Sequence, residues 1–314
     1  MAVKDDKFLP LRNPGSKGWN SFDEPGAIDD LELADAQNIT YDDGFIGPRE
    51  GSTLLYEKPT SETGDPLQLI KAETSDGVRY TIAVYANHFY VWHPATEEWV
   101  RINQTYVPVE ITRRYGSVNW QNGRGDDRLY GCNGVDDFFR WDICVTVVNG
   151  AHTAGGSTVT VTDGSRFPTG GGTLILKSSG GTFFTEAYTS RSGNVFTLTN
   201  TLDSNVDSGA PCVTDMIQKA SMEVGRYVSK FQRRLMVANY YGGETVVWGS
   251  VQGSPEDFTL ASTIAGAFTQ TIADGNGEIT GVHDFGQFLV IEKQDSIHTI
   301  KLQIAGDLGS KLAV

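Results

Sequence analysis

Short runs of alternating apolar and polar residues, separated by turns rich in Gly, Asp and Pro, recur along most of the chain. Residues 67–73 and 80–85 flank Ser75-Asp76-Gly77, which is a strong hairpin sequence. Residues 88–92 and 98–102 flank a second turn in the same way. A spacing of about 8–12 residues from one short strand to the next predicts an all-β fold built as a sandwich, a barrel or a propeller.

Residues 142–213 differ from their flanks because they contain few charges and several paired glycines, among them Gly155-Gly156 and Gly180-Gly181. Short strands rich in Val, Thr and Phe lie between these turns. We predict that this segment is a small β-barrel or sandwich module inserted into a main domain formed by residues 66–141 and 214–314.

Four stretches outside the module share one plan, a strand, a short turn and a second strand; they are residues 79–99, 127–142, 233–250 and 287–301. A repeat of about 40–50 residues with this pattern is typical of β-propeller blades. The residues outside the module leave room for about five blades. A degenerate β-propeller is therefore the predicted main domain, with a large β-sandwich as the alternative.

Residues 1–65 predict an irregular N-terminal arm, because Pro and Gly interrupt every regular element up to residue 26. Residues 40–46 are the exception, since an Asp-Asp-Gly turn between two short runs predicts a first hairpin. Such an arm has few ways to be stable alone, so we expect its apolar residues to pack on a neighbouring subunit or on the chain's own propeller. These residues are Phe8, Leu9, Leu11, Trp19 and Phe22.

The net charge of −14 over 314 residues argues against a surface that coats nucleic acid. A surface that coats nucleic acid needs clustered Lys and Arg, whereas an acidic surface repels phosphates. Three cysteines, Cys132, Cys144 and Cys212, form no paired framework and predict reduced, partly buried thiols. The N-terminus has no apolar signal region and no window reaches the length of a membrane helix, so no membrane insertion is expected.

Motifs of catalysis and metal binding are not found, so we predict no enzyme, no cofactor and no metal. The five histidines show no zinc spacing, and His88 and His93 are expected at the surface or at an edge. The polar run 274–278 lacks the ligand pattern of a calcium loop, and no nucleophile elbow occurs. RGD at 124–126 is interpreted as a polar turn.

Three carboxylate doublets could suggest a glycosidase, because propellers host such enzymes. They are Glu97-Glu98, Asp126-Asp127 and Asp136-Asp137. Adjacent residues of a strand point to opposite faces, so a doublet does not supply two carboxylates across a cleft. We therefore expect solvated turn carboxylates, with a hydrolase as a minor alternative.

Several motifs follow one another in order along the chain. The first is GAIDDLELADAQNITYDDGFIGPREG at 26–51, with Asn38 before the hairpin and Arg49 in the turn after it. A blade-like segment combines RRLMVAN at 233–239 with SPEDF at 254–258, and GCNG at 131–134 with FFRW at 138–141 looks like an earlier blade. The inserted segment contains GGSTVTVTDGSRFP at 155–168 and EAYTSRSGN at 186–194. Together these motifs resemble those of bacteriophage tail nozzle and tail stabilisation proteins, and the inserted segment is similar to a small β module of phage tail proteins.

The resemblance implies a structural virion protein, a ring in the tail or neck that completes the DNA channel. It implies self-association, expected as a homohexamer, with the portal or adaptor and other tail proteins as partners, and DNA passing without specific binding. Asn38, Arg49 and the five apolar arm residues are the implied interface. The chain would be made in the bacterial cytoplasm and end in the virion.

One other function stays open, a receptor- or glycan-binding tail protein that acts through the inserted module. It would need an exposed aromatic platform, for which only Phe183, Phe184, Tyr188 and Phe196 are candidates. Because these aromatics alternate with polar residues, we expect them in a core.

Overall fold

The computed structural model describes residues 39–42, 45–48, 57–123, 125–222, 224–240, 243–261, 263, 265–273, 277–302 and 312–313. Within these ranges the chain forms 24 strands and no helix. The prediction of an all-β fold is confirmed.

The chain divides into two compact units, Met1–Glu57 and Lys58–Val314. The described part of the first unit is a hairpin of β1 (Ile39–Asp42) and β2 (Phe45–Pro48). Asp42 pairs with Phe45, so the two short runs of the predicted hairpin form antiparallel strands.

The second unit begins with two sheets and a module. The first sheet contains β3 (Gln68–Glu73), β4 (Arg79–Tyr85), β5 (His88–His93) and β6 (Glu98–Arg101). The second sheet begins with β7 (Gly116–Trp120), β8 (Arg128–Cys132) and β9 (Phe138–Asp142). The module strands are β10 (Val145–Val147), β11 (Thr158–Thr160), β12 (Gly172–Lys177), β13 (Phe183–Ser192), β14 (Val195–Leu198) and β15 (Pro211–Thr214).

The chain then returns to the second sheet and adds two more sheets. Strand β16 (Ile217–Lys219) pairs with β9 and completes the second sheet. The third sheet contains β17 (Tyr227–Phe231), β18 (Arg234–Tyr240), β19 (Gly243–Gly249) and β20 (Phe268–Thr271). The fourth contains β21 (Ile279–Phe285), β22 (Phe288–Lys293), β23 (Ile297–Leu302) and β24 (Leu312–Ala313).

Each of these four sheets is an antiparallel meander with its first strand at one edge. Those edge strands contact one another in chain order, β3 with β7, β7 with β17 and β17 with β21. The described residues therefore form four repeating sheets. The number of residues outside the module predicts about five blades.

Apolar cores lie between successive sheets. Strand β8 shows how, because Leu129 faces the core shared with the first sheet whereas Tyr130 and Cys132 face the core shared with the third. Alternate residues of a strand point to opposite faces, so a sheet between two others is apolar on both sides. A further core joins the third and fourth sheets through residues such as Met236 and Leu289.

The module strands form one curled six-stranded sheet in the order β10-β15-β12-β13-β14-β11. Its two edges meet next to β10 and β11, where Val148 bridges to Val161 and the Thr162 N–H donates to the Val147 carbonyl at 2.9 Å. Phe167 and Phe196 are among the side chains that fill its interior. Ile175 and Val213 point the other way, into the core of the first and second sheets.

Candidate functional site

All seven residues predicted as an interface lie outside the described residues. They are Phe8, Leu9, Leu11, Trp19, Phe22, Asn38 and Arg49. The same holds for Arg124 of the RGD sequence and for residues 274–276 of the polar run.

The expectation of solvated turn carboxylates is wrong for two members of the doublets. Asp127 and Asp136 are buried, with 6 % and 8 % of their surface exposed. Their neighbours behave as expected, since Asp126 pairs with Arg128 at 2.6 Å and Asp137 accepts a hydrogen bond from Gln218. A buried carboxylate needs hydrogen-bond donors, and loop backbone supplies them here.

Asp127 joins the second sheet to the first. Its carboxylate accepts hydrogen bonds from the Ser75 backbone N–H at 2.9 Å and the Ser75 hydroxyl at 2.8 Å, and also from the N–H groups of Asn122 and Gly123. The turn between β3 and β4 is thus fixed by a carboxylate that precedes β8.

Asp136 organises the loop that connects the first sheet to the second. Its carboxylate accepts hydrogen bonds from the N–H groups of Val109 and Glu110 and from the Asn133 side chain. Both buried carboxylates therefore accept hydrogen bonds from loop backbone and side-chain donors of the fold.

The prediction of a surface position for His93 is also wrong, because His93 is 1 % exposed. Its Nε2 lies 2.8 Å from the Thr146 carbonyl, so this nitrogen donates a hydrogen bond from β5 to β10 of the module. Burial lowers the pKa of His93, which favours the neutral ring. His88 lies nearer the surface, and its Nδ1 is 2.6 Å from the Glu62 carboxylate.

The three cysteines are buried and free, as their spacing predicted. Burial raises the pKa of each thiol well above its ordinary range. A protonated, buried thiol is a poor nucleophile, so these cysteines are core residues.

Among the described residues, an extensive charged cluster surrounds Glu256, the Glu of the SPEDF motif. This residue lies in the loop after β19 of the third sheet, but its carboxylate binds the second sheet. Glu256 accepts from Arg140 at 2.9 Å, from the Tyr130 hydroxyl at 2.8 Å and from Lys219 at 2.5 Å. These donors come from β9, β8 and β16, so one carboxylate contacts three strands of the neighbouring sheet.

Acidic partners balance the cluster. Arg140 also contacts Asp142 at 3.1 Å, and Arg128 lies 3.7 Å from Glu256 and 3.5 Å from Asp142. Burial alone would raise the pKa of Glu256, but hydrogen bonds from Lys219 and Arg140 lower it to about 2. Burial raises the pKa of Asp142 in spite of both arginines. Glu256 is therefore the ionised centre of the cluster.

The rest of the SPEDF motif fixes the loop that carries Glu256. Pro255 is buried, and Phe258 enters the core between the second and third sheets. The Asp257 carboxylate accepts from the Thr259 N–H at 2.9 Å, and the Asp257 carbonyl accepts from the Val251 N–H at 2.7 Å. The motif thus acts as a clamp, here called the Glu256 clamp: an ionic contact at Glu256 and an apolar contact at Phe258.

Side-chain amides join the edge strands of the first and second sheets. Gln68 on β3 exchanges two hydrogen bonds with the Tyr115 backbone, at 2.7 and 2.9 Å. Asn119 on β7 accepts from the Glu73 N–H at 2.9 Å and donates to the Lys71 carbonyl at 3.1 Å. Each amide satisfies the backbone donor and acceptor of an edge strand, as another strand would.

A related contact joins the third and fourth sheets. Asn239, at φ +59°, donates from its side-chain amide to the Ile279 carbonyl at 2.7 Å. Asn tolerates this left-handed conformation better than most residues. No sequence signal marks these amide contacts, since Asn and Gln also occur commonly in exposed strands and turns.

The four aromatic candidates for a glycan platform lie in or against the core. Tyr188 and Phe196 are buried inside the module, where their rings meet edge to face at 4.9 Å between centroids. Phe183 and Phe184 are half-buried, and the Lys177 ammonium lies over the Phe183 ring. The expectation of a core position is confirmed for Tyr188 and Phe196.

No group of three or more potential metal ligands and no membrane-spanning helix occurs among the described residues. No protein-family model matches the chain, and no curated protein matches it either.

Proposed function

We propose that the chain is a structural component of a bacteriophage virion, a ring in the tail or neck that completes the DNA channel. In this proposal the four sheets are blades of a degenerate propeller, and the copies associate with one another and with the portal or adaptor and neighbouring tail proteins. The ring is a homohexamer, made in the bacterial cytoplasm and incorporated into the virion.

The Glu256 clamp is the observation that carries the proposal. The motif that resembles tail nozzle proteins is used to bind one sheet to the next: Glu256 contacts three strands of the second sheet and Phe258 fills the adjoining core. The buried doublet carboxylates are likewise engaged by loop donors. Charged groups that hold sheets together suit a rigid building block better than a hydrolase.

The test is to locate the chain in particles of the phage that encodes it. Gold-labelled antibodies raised against the purified chain should decorate the tail or neck of purified virions in electron micrographs. Virions lacking the host-attachment fibres serve as a control and should keep the label. Label on fibres alone would favour the receptor-binding alternative, and absence of the chain from washed virions would overturn the proposal.

The acidic net charge of −14 supports a channel that lets DNA pass without holding it. We expect the purified chain to cause no mobility shift of duplex DNA at low salt, where electrostatic binding is strongest. A shift that disappears as salt is raised would show phosphate binding and contradict this part of the proposal.

A further inference from the structure

The described part of the chain contains three Asn-Gly pairs, which the fold holds in different ways. They are Asn122-Gly123, Asn133-Gly134 and Asn149-Gly150. Asparagine is among the thermolabile residues of proteins. It is most reactive before glycine, because glycine has no Cβ and its backbone nitrogen can approach the preceding side chain closely. The contacts of each pair therefore decide whether these two groups can meet.

The pair Asn133-Gly134 is locked inside the fold. Asn133 is fully buried, and its side-chain amide donates to the Asp136 carboxylate at 2.8 Å. Its side-chain oxygen accepts from the backbone N–H groups of Val135 at 3.0 Å and Asp136 at 2.8 Å. The Gly134 N–H donates to the Gly225 carbonyl at 2.8 Å. The side chain and the glycine nitrogen cannot meet without breaking these hydrogen bonds.

The pair Asn122-Gly123 lies nearer the surface but is held by two carboxylates. The Asn122 side-chain amide donates to Asp126 at 2.5 Å, and the Gly123 N–H donates to the buried Asp127 at 3.3 Å. A hydrogen bond to an anion stabilises the protonated form of a donor. The glycine nitrogen must lose its proton before it can attack, so the neighbouring carboxylates oppose reaction at this pair.

The pair Asn149-Gly150 has none of these restraints. Both residues are exposed, and no described residue forms a hydrogen bond with the Asn149 side chain. Gly150 has a φ of +79°, and nothing lies within 4 Å of the position that a Cβ would take. Its N–H donates to the Ser208 hydroxyl at 3.2 Å, which is a neutral and exposed acceptor. The Asn149 side chain is thus free to turn towards the Gly150 nitrogen.

We propose that Asn149 modifies itself, because the Gly150 nitrogen attacks its side-chain carbonyl and converts the residue into aspartate or isoaspartate. The nitrogen loses its proton to solvent and bonds to Cγ of Asn149. The bond from Cγ to Nδ2 breaks, and Nδ2 takes up a proton and leaves as ammonia. Water then opens the succinimide ring on either side. Water is the only co-reactant, and nothing is oxidised or reduced.

The modification acts on the seam of the module, where the two edges of its curled sheet meet. The Asn149 N–H donates to the Thr160 carbonyl at 2.9 Å, beside the bridge at Val148. The next N–H, of Gly150, donates to Ser208. Isoaspartate adds one carbon to the backbone between these two N–H groups, so both contacts cannot keep their geometry. We therefore expect the seam to loosen as the modification accumulates, whatever the chain assembles with.

Mass spectrometry of the full chain tests the site. The purified chain is incubated at mildly alkaline pH, and samples are digested with trypsin at intervals. Peptides 129–140 and 141–166 each contain a single asparagine, Asn133 and Asn149, and fragmentation separates Asn122 from Asn119 in peptide 115–124. We expect Asn149 to lose its amide at least tenfold faster than Asn122 and Asn133.

The matched control is the same chain unfolded in guanidinium chloride, where the three pairs lose the contacts that distinguish them. There we expect all three to react at similar rates. The inference is overturned if Asn149 stays intact in the folded chain while it reacts in the unfolded one. It is also overturned if Asn122 or Asn133 reacts as fast as Asn149 in the folded chain.

Amide hydrogen exchange tests the effect on the seam. Asn149→Gln keeps a side-chain amide but would need a larger ring for the same attack, so it should fold normally and resist modification. After equal incubation, residues 157–162 should exchange faster in the unmodified chain than in Asn149→Gln. Equal exchange in a chain whose Asn149 is fully converted would show that the modification leaves the seam intact and contradict this part of the inference.

Discussion

Adjacent carboxylates in this chain have different energetic roles. Asp126 forms a partly exposed pair with Arg128, whereas Asp127 is buried and satisfies donors of two turns. An ion pair that stays in contact with solvent contributes little to stability, but the loss of a buried acceptor leaves several donors without a partner. Substitutions of Asp126 and Asp127 can therefore be compared directly, because the two carboxylates are adjacent in sequence and differ in burial.

We predict that Asp127→Ala lowers the free energy of unfolding by about 3 kcal/mol, because Ser75 and the 122–123 turn lose their common acceptor. Asp126→Ala should lower it by less than about 1 kcal/mol. Urea denaturation of both variants measures the difference. Equal losses would mean that the Asp127 contacts do not hold the first and second sheets together.

Glu256 gives the chain an acid-sensitive contact. Its pKa is about 2 in the folded protein against an ordinary 4.5, because the donors of the clamp offset the effect of burial. A carboxyl with a lowered folded pKa stabilises the fold when ionised. That contribution is complete above about pH 4.5 and is lost as the pH falls towards 2. Asp142 works in the opposite sense, since burial raises its pKa.

We predict that Glu256→Gln lowers the free energy of unfolding by about 3 kcal/mol at pH 7, because three cations lose their shared anion. The difference from the unmodified chain should shrink as the pH falls from 4.5 to 2.5. Glu97→Gln, at an exposed turn, is the control and should be neutral. A difference that stays constant with pH would show that ionised Glu256 does not make the clamp.

At the scale of elements, glycines opposite aromatic residues set how closely strands pack. Gly131 on β8 pairs with Phe139 on β9, and a Cβ on Gly131 would lie 2.2 Å from Cζ of the Phe139 ring. Gly249 and Phe268 repeat this arrangement between β19 and β20. The Phe139 ring packs over the backbone of β8 at Gly131, which has no side chain. This position puts Phe139 in the core between the first and second sheets.

We predict that Gly131→Ala lowers the free energy of unfolding by about 2 kcal/mol, because Phe139 must move against Phe89, whose ring centroid lies 5.2 Å away. Gly170→Ala is the control, since nothing lies within 4 Å of its added Cβ, and it should change stability by less than about 0.5 kcal/mol. Thermal unfolding measures both. If Gly131→Ala leaves the stability unchanged, the position of the Phe139 ring does not depend on a glycine at residue 131.

Most strands could be predicted from the sequence because local turns define them. The Asp-Gly turn at 76–77 separates two paired strands, as expected. Strands β15, β16, β20 and β24 were not predicted. They are two to four residues long, and their pairing is set by strands elsewhere in the fold, as β16 shows by pairing with β9 across the whole module.

The candidate site was less accessible to sequence reasoning than the fold. SPEDF was recognised as a motif, but its Glu256 partners come from residues 130, 140 and 219, which only the tertiary structure brings together. His93 and Asp127 were expected at the surface because polar turn residues usually lie there. Their burial depends on contacts with distant loops.

At the scale of the whole molecule, the module shares its packing with the main sheets. Ile175 and Val213 belong to the core of the first and second sheets, and the Trp141 indole donates to the Thr214 carbonyl at 2.9 Å. Lys177 adds an ion pair with Glu98 at 2.5 Å. Because the module shares a core with the first and second sheets, we expect it to unfold together with them.

We predict that calorimetry shows the module and the first two sheets unfolding in one transition. Ile175→Ala should shift that whole transition to lower temperature, corresponding to about 2–5 kcal/mol, because the residue is fully buried in the shared core. Val195→Ala, on a partly exposed module position, is the control. A separate module transition that alone responds to Ile175→Ala would contradict the coupling.

Counting the copies of this chain in purified virions tests most directly the proposal that it is a building block of a phage particle. Quantitative mass spectrometry of washed particles should find the chain at a fixed number per particle that matches one ring, expected to be a homohexamer. A chain that is abundant in infected cells but absent from the particles would contradict the account.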